Sequence, residues 1–330
     1  MSTLQGKKIA VLGAGTMGPG IAAVYAASGY DTALYSRTEK TLEKARVTIE
    51  GIIELFRSEG LYPDGAETAL QRIRFTAKIP EAVSGAFYVA ETVAEVPEIK
   101  QDIYRQLDEL LPEDVLISSN TSYMNIFDLA PAGRQERLAI VHWVAPPHIL
   151  PLVEIVKGPQ TAEAVMEALM ALHEACGKAP VRMEKYIPGF MLNRLQSAML
   201  RETTGLVQEG YCTPDMLDRA VRMSLMPRGL LLGVMQRLDF NGIDLAVRNL
   251  KNNTFTPFGA PPEENIYTEM VERGELGVKS GKGFRDYTEL GSEEALRLRD
   301  RCLLESVRLA RRFEEHPIGR ERDGKSTLSQ

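Results

Sequence analysis

The apolar positions along this chain fall into two textures, and the change comes near residue 187. Before it, short β-type runs alternate with stretches of helical spacing. The runs lie at 7–12 (KKIAVL), 30–35, 73–76, 86–90, 115–118, twice within 138–156, and at 181–183. Each is bounded by glycine, proline or small polar residues, as strands are. Between them an Ala-rich helix ends near Gly29, another runs through Leu111, and a third starts at Thr161 with Val165, Leu169, Leu172 and Cys176 on one face. Gly177 and Pro180 stop that third helix. The segment 39–72 reads as a helical pair with a break at Gly60 to Gly65, and Leu42, Ala45, Ile49, Ile52, Ile53 and Phe56 recur at helical spacing. It is expected to protrude as an arm rather than to connect strands. Beyond 187 no strand pattern appears. Thr213 is an N-cap before Pro214 at the first helical position, and Ser292 is expected to cap a last long helix. A proline-rich loop at 255–262, a glycine-punctuated stretch at 274–283 and a frayed tail at 317–330 complete the chain.

The first run opens directly into Gly13-Ala14-Gly15-Thr16-Met17-Gly18 and then a helix. A GxGxxG alone is weak evidence; between a strand and a helix it is strong. Gly13 permits the tight turn, Gly15 lets a pyrophosphate approach the backbone, Gly18 allows close helix–strand packing, and the helix N-terminus faces the anion. The alternative is a tight turn that binds nothing. With the strand–helix alternation, this predicts a Rossmann-type α/β doubly wound sheet with a helical arm over 1–186. An all-α domain for substrate binding and dimerisation follows over 187–330.

The second run ends on Tyr35-Ser36-Arg37-Thr38, where NAD-binding chains usually place an acid against the ribose 2′-hydroxyl. A guanidinium and two hydroxyls in its place favour a 2′-phosphate, so NADP is expected slightly ahead of NAD. A solvated Arg37, with Ser36 serving the diol of NAD, is the competing reading.

The stretch 138–156, LAIVHWVAPPHILPLVEIV, holds two apolar runs joined by a proline-stiffened turn, with His142 ending the first and Glu154 inside the second. Side by side, such strands bring an imidazole within reach of a carboxylate. The carboxylate fixes the tautomer and leaves the other ring nitrogen free to take a proton. The plainer reading is a half-buried pair that merely satisfy each other. Upstream, Ser119-Asn120-Thr121-Ser122 follows a short strand, where open α/β sheets put their ligands, although it also reads as a helix cap.

A net charge of −6, 44% hydrophobic and 25% charged residues describe an ordinary globular chain with room for two domains. No block of five like charges favours nucleic acid or an anionic membrane, and no apolar run approaches the roughly 20 residues of a membrane span. The expectation is a cytoplasmic protein with neither partner. Cys176, Cys212 and Cys302 form no CxxC pair, and His173 has no second ligand-type residue at i+4, so no metal site is expected.

These motifs, in one order over almost the whole chain, resemble the 3-hydroxyacyl-CoA dehydrogenase family. VLGAGTMGPGIA, the Glu95/Lys100 segment, SNTS, H-x(11)-E, GFMLNR at 189–194 and GVKSGKGF at 277–284 carry the resemblance. PPHILPLVEIV, ALHEACGKAPVRM and RLRDRCLLESVRLARR look most like the lambda-crystallin and L-gulonate 3-dehydrogenase branch. The resemblance implies that His142 is the catalytic base with Glu154 as its partner, and that Ser122 and Asn193 hydrogen-bond the substrate oxygen. The cofactor site expected is Gly13, Gly15, Thr16, Met17, Gly18, Ser36, Arg37, Thr92, Glu95, Lys100 and Asn120, of which the resemblance implies Thr92, Glu95 and Lys100 near the nicotinamide. A homodimer through the helical domain is implied too, with 223–232 as candidate interface. Two departures stand out: Ala145 where the family has Asn, and Ser36-Arg37 at the acidic position. Gulonate-type relatives, unlike thioester users, place an arginine where this chain has Arg228, in what reads as a loop. A free carboxylate needs such a cation. The expected activity is therefore NAD(P)-dependent oxidation of the 3-hydroxyl of a small free hydroxy acid. A 3-hydroxyacyl-CoA dehydrogenase and a non-catalytic crystallin-like protein are the alternatives.

Overall fold

The computed structural model describes residues 7–252, 255–316 and 318; the tail expected at 317–330 otherwise lies outside them. In chain order the first compact unit contains β1 (Lys8–Leu12), α1 (Gly18–Ala27), β2 (Asp31–Tyr35), α2 (Glu39–Ser58), β3 (Ile73–Thr76), α3 (Ile79–Val83), β4 (Ala86–Glu91) and α4 (Pro97–Leu110). It continues through β5 (Leu116–Ser119), β6 (Leu138–Trp143), β7 (Leu152–Lys157), α5 (Glu163–Ala175) and β8 (Ala179–Met183). These strands make one sheet in the order β3-β2-β1-β4-β5-β6-β7-β8. Every neighbouring pair is parallel except β6 and β7. The strand order reverses between β1 and β4, and a sheet of this kind binds its ligands at that switch point, beyond the carboxyl ends of the strands.

All ten residues of α1 are buried, which is why it is apolar on every side rather than striped. A Cβ on Gly20 would lie 2.7 Å from the Pro147 ring, so α1 also packs tightly on the turn between β6 and β7. The segment 39–72 departs from expectation. It is a single helix, then turns and a 3-10 turn at Leu70–Arg72, and it joins the parallel neighbours β2 and β3. Leu42, Ala45, Ile49, Ile52, Ile53 and Phe56 are all buried in the core beside α1, so α2 packs into the body of the unit instead of projecting as an arm. Six apolar residues on one face need a partner surface, and α1, with the edge strand β3, supplies it.

Behind the sheet, His173 is a core residue. Its Nδ1 donates to the Leu169 carbonyl at 2.7 Å, which leaves Nε2 to accept from the Tyr25 hydroxyl at 3.0 Å. Burial pushes the imidazole down to about 4, so the ring is neutral and structural.

Helix α6 (Leu192–Gln208) carries the chain onward, one compact unit running to Arg194 and the other starting at Leu195. The second unit continues with α7 (Pro214–Ala220), α8 (Met226–Leu232), α9 (Gln236–Asn241), α10 (Ile243–Lys251), α11 (Ile266–Glu272) and α12 (Ser292–Glu315), and no strand occurs among its described residues. Thr213 caps α7 by accepting from the Met216 N–H. Ser292 does not cap α12. Gly291 takes that position, and the Ser292 hydroxyl donates to the Val278 carbonyl. Arg228 lies on the first turn of α8, after a π-helical turn at Val221–Leu225, and not in a loop. No helix among the described residues is long and apolar enough to cross a membrane, and no group of His, Cys, Asp and Glu among them could hold a metal ion.

Candidate active site

The antiparallel register of β6 and β7 sets His142 directly opposite Glu154. Nδ1 of His142 stands 2.8 Å from Glu154 Oε2. A carboxylate can only accept, so Nδ1 carries a proton, and in the neutral ring Nε2 is the nitrogen with the lone pair. The other carboxylate oxygen, Oε1, accepts from the Met191 and Leu192 N–H groups at 2.9 and 3.0 Å. Those amides belong to the residue before α6 and to its first residue, at the helix N-terminus where a negative charge is favoured. Burial pushes the Glu154 carboxyl up, but the bonds from His142, Leu192 and Met191 outweigh it and hold the group below its ordinary value. The dyad is therefore an ionised carboxylate that orients the ring through Nδ1 and leaves Nε2 facing away from it.

The segment that delivers those amides is bent out of ordinary backbone space. Gly189 has φ 79° and Phe190, not a glycine, has φ 48°. Left-handed backbone at a bulky residue persists only where surroundings hold it. Here Phe190 is fully buried, its ring 5.2 Å from the His142 imidazole and 6.2 Å from Tyr186. Phe190 lies within the GFMLNR motif, and no local sequence pattern marks it as the residue that backs the imidazole.

Ser122 and Asn193 come together beside this pair. Asn193 Nδ2 donates to the Ser122 carbonyl at 3.2 Å, and Asn193 directly follows Leu192. Glu95 accepts from the Thr121 hydroxyl at 2.9 Å and from the Ser122 N–H at 2.5 Å. Asn120 ties the strand ends: Oδ1 accepts from the Trp143 N–H at 2.8 Å, and Nδ2 reaches Thr92 Oγ1 at 3.5 Å. Lys100 turns inward. Only 1% of its side chain is exposed, and its ammonium pairs with Glu91 at 2.8 Å, so it supports the groove from beneath rather than lining it.

The glycine loop sits at the switch point. Gly13 has φ 122°, its N–H donates to the Tyr35 carbonyl at 2.9 Å, and a Cβ there would lie 2.4 Å from the Thr92 carbonyl. A Cβ on Gly18 would lie 1.8 Å from the Gly13 carbonyl, whereas at Gly15 it would meet no protein atom within 4 Å. Gly15 and Thr16 are exposed, and no side chain caps the N-terminus of α1. Free helix-terminal amides beside an open glycine suit a pyrophosphate. At the ribose end Thr38 is committed to capping α2 through the Thr41 N–H, so Ser36 and the exposed Arg37 are left to meet a ligand. Arg37 makes no ion pair among the described residues.

Arg228 belongs to the second unit. Its Nε and Nη2 donate to the Ser224 carbonyl and hydroxyl, each at 3.0 Å, which occupies two of the five guanidinium N–H groups.

The model of the 3-hydroxyacyl-CoA dehydrogenase NAD-binding domain matches residues 8–186, and that of its C-terminal domain matches 189–287. The chain is 34% identical to 5-formyl-3-hydroxy-2-methylpyridine 4-carboxylate 5-dehydrogenase of Mesorhizobium japonicum, over 86% of this chain and 91% of that one. A crystal structure of an enzyme of that activity, described as an NAD+-dependent dismutase, superposes with a TM-score of 0.81 at 31% identity, covering 93% of this chain and 99% of the other. Identity to 3-hydroxybutyryl-CoA dehydrogenase of Clostridioides difficile is 29%, over 86% and 100% of the two chains. The human lambda-crystallin homolog is 32% identical over 71% and 74%.

Proposed function

The chain belongs to the 3-hydroxyacyl-CoA dehydrogenase family, and from that premise we propose that it oxidises the 3-hydroxyl of a small free hydroxy acid to the 3-oxo acid. At the coarser level it is an NAD-dependent oxidoreductase acting on CH–OH groups. The observation that carries the chemistry is the His142–Glu154 pair with its tautomer fixed. His142 Nε2 takes the hydroxyl proton, Glu154 stabilises the imidazolium that forms, and Ser122 with Asn193 polarises the oxygen. The dinucleotide, when bound along the glycine loop, supplies the hydride acceptor. An intact dyad also weighs against a crystallin-like protein without activity.

Two features support a free acid over a thioester. A relative covering most of this chain acts on a compound whose name carries a carboxylate and no coenzyme A, and Arg228 keeps three guanidinium N–H groups for such a carboxylate. Arg228→Met is expected to raise KM for the acid by one to two orders of magnitude, on the order of 1.5–3 kcal/mol for a bond to a charged group. The test is a panel of free 3-hydroxy acids beside 3-hydroxybutyryl-CoA. Faster turnover of the thioester than of every acid, or an unchanged KM in the variant, replaces this reading with the acyl-CoA one.

For the cofactor, NADP(H) is proposed to bind at least as well as NAD(H), because Ser36 and Arg37 stand where an acid would repel a 2′-phosphate. Ser36→Asp should then shift preference towards NAD by about 1–3 kcal/mol, read from Kd values by fluorescence. A wild-type Kd clearly tighter for NAD refutes the proposal.

The protein is further proposed to be a cytoplasmic homodimer through its helical unit. Among the described residues from 195 on, only Thr204 and Leu304 are buried, while Met223, Val234, Met235 and Phe240 are each more than half exposed. Such a surface is unusual for a monomer. Sedimentation as a monomer at micromolar concentration would remove the proposal.

A further inference from the structure

Glu91 closes β4 with its side chain wholly out of water. Its carboxylate is saturated: the Val93 N–H donates at 2.8 Å, Lys100 Nζ at 2.8 and 3.0 Å, Tyr104 at 2.9 Å and Ser119 at 2.6 Å. A buried ion pair is seldom better for stability than apolar side chains of the same volume, because desolvating two charges offsets most of their attraction. Stability alone is thus a weak reason for a glutamate and a lysine at this depth. What the pair touches suggests another. Lys100 Nζ lies 3.6 Å from Glu95 Oε2, and Glu95, half out of the protein, holds both the Thr121 hydroxyl and the Ser122 N–H. The Ser122 carbonyl in turn receives Asn193. An unbroken line of polar contacts therefore runs from the buried carboxyl end of β4 to the two groups assigned to the substrate oxygen. Glu91 also acts through its backbone, its carbonyl accepting from the Asn120 N–H at 2.7 Å, and Asn120 braces the strand that bears His142.

We propose that Glu91 is a positioning residue. It fixes the Lys100 ammonium, and Lys100 fixes Glu95 and through it the loop that presents Ser122. Without the Glu91 charge the ammonium loses its anchor, and Glu95 and Ser122 lose their reference point. The proposal depends on dehydrogenase activity but not on which substrate is native, so any hydroxy acid or thioester turned over by the wild type serves as probe. Failure of the free-acid reading therefore leaves this test intact.

The experiment compares E91Q, K100M and the double variant E91Q/K100M. Each single change strands one buried charge and should lower both Tm and activity. The double change leaves no unpaired charge, so its Tm should recover towards wild type. If Glu91 and Lys100 only hold the fold together, activity recovers with it. If they position the loop, the double variant still shows about 10–100-fold lower kcat at saturating substrate and cofactor, the scale of loss expected from a misplaced binding group. Because Glu95, Lys100 and Asn120 are also expected at the dinucleotide, the NADH Kd is measured by fluorescence and kcat is compared only with cofactor held well above it, so that weakened binding does not enter the readout. Wild-type kcat in a double variant with recovered Tm overturns the proposal. Should the charge variants not fold, Tyr104→Phe keeps the ring in the core and removes a single hydrogen bond from Glu91. A drop in kcat of about 2–10-fold at saturating cofactor is then expected, and an unchanged kcat overturns the proposal.

Discussion

Replacing His142 by glutamine should lower kcat by about 10²–10⁴-fold, the usual contribution of a positioned base, while the dinucleotide Kd stays near wild type. His142 is 6% exposed and its ring is held by Glu154 and Phe190, so its loss bears on the proton rather than on the cofactor. Glu154→Gln should be nearly as damaging, for a reason the geometry makes specific. Glu154 Oε1 already receives two backbone N–H groups. A glutamine must therefore turn its carbonyl towards them and its NH₂ towards His142. Facing a donor, His142 Nδ1 has to accept, and the ring proton moves to Nε2, the nitrogen that must be free. The wrong tautomer is then the stable one, a fault that has cost about 10⁴ in kcat where a triad aspartate was neutralised in another enzyme. Because both changes disable one unit, the double variant should be little worse than either single one. Steady-state kinetics with NADH titration decides it: a His142→Gln enzyme with wild-type kcat removes the base assignment, and a fully active Glu154→Gln enzyme removes the tautomer argument.

How much of this was legible beforehand depended on the range of the contacts. His142 and Glu154 could be paired from sequence because two short runs joined by a short proline-stiffened connection have few registers to choose from, and the observed register is the one that sets them opposite. The other half of the carboxylate's support comes from amides 37 and 38 residues downstream, held by left-handed backbone at a phenylalanine, which no local pattern announces. Glu91 was visible as an acid at the end of an apolar run. Its lysine nine residues on and its serine 28 residues on meet it only after β4, α4 and β5 have packed. The segment 39–58 shows the opposite error. Its helical period was plain, yet its apolar stripe already demanded a buried face, so reading it as an arm set aside information that was there. Ser292 was read as a cap from residue type alone, and its hydroxyl goes to a carbonyl 14 residues earlier.

The glycine loop separates the needs of the fold from the needs of the ligand, and two alanine substitutions should show the difference. Gly18 is hemmed in by protein. A methyl there would lie 1.8 Å from the Gly13 carbonyl oxygen and 2.9 Å from its carbon, both backbone atoms that no rotamer change can move aside. To admit it, the Gly13 peptide must shift, yet that residue is held by its bond to the Tyr35 carbonyl and by close approach to Thr92. Gly18→Ala should therefore cost about 1–3 kcal/mol of stability by overpacking, and it should weaken NADH binding as well because the turn is displaced. Gly15 meets no protein atom within 4 Å and does not need left-handed backbone. Gly15→Ala should leave Tm within about two degrees of wild type, a stability change well under 1 kcal/mol. Its methyl would instead stand where the pyrophosphate has to approach the loop, so NADH Kd should rise by about tenfold or more, at least ~1.4 kcal/mol. Thermal melts and fluorescence titrations of the two variants give four numbers. A Gly18→Ala protein as stable as wild type would contradict the packing of the loop, and a Gly15→Ala protein with wild-type NADH affinity would place the dinucleotide somewhere else.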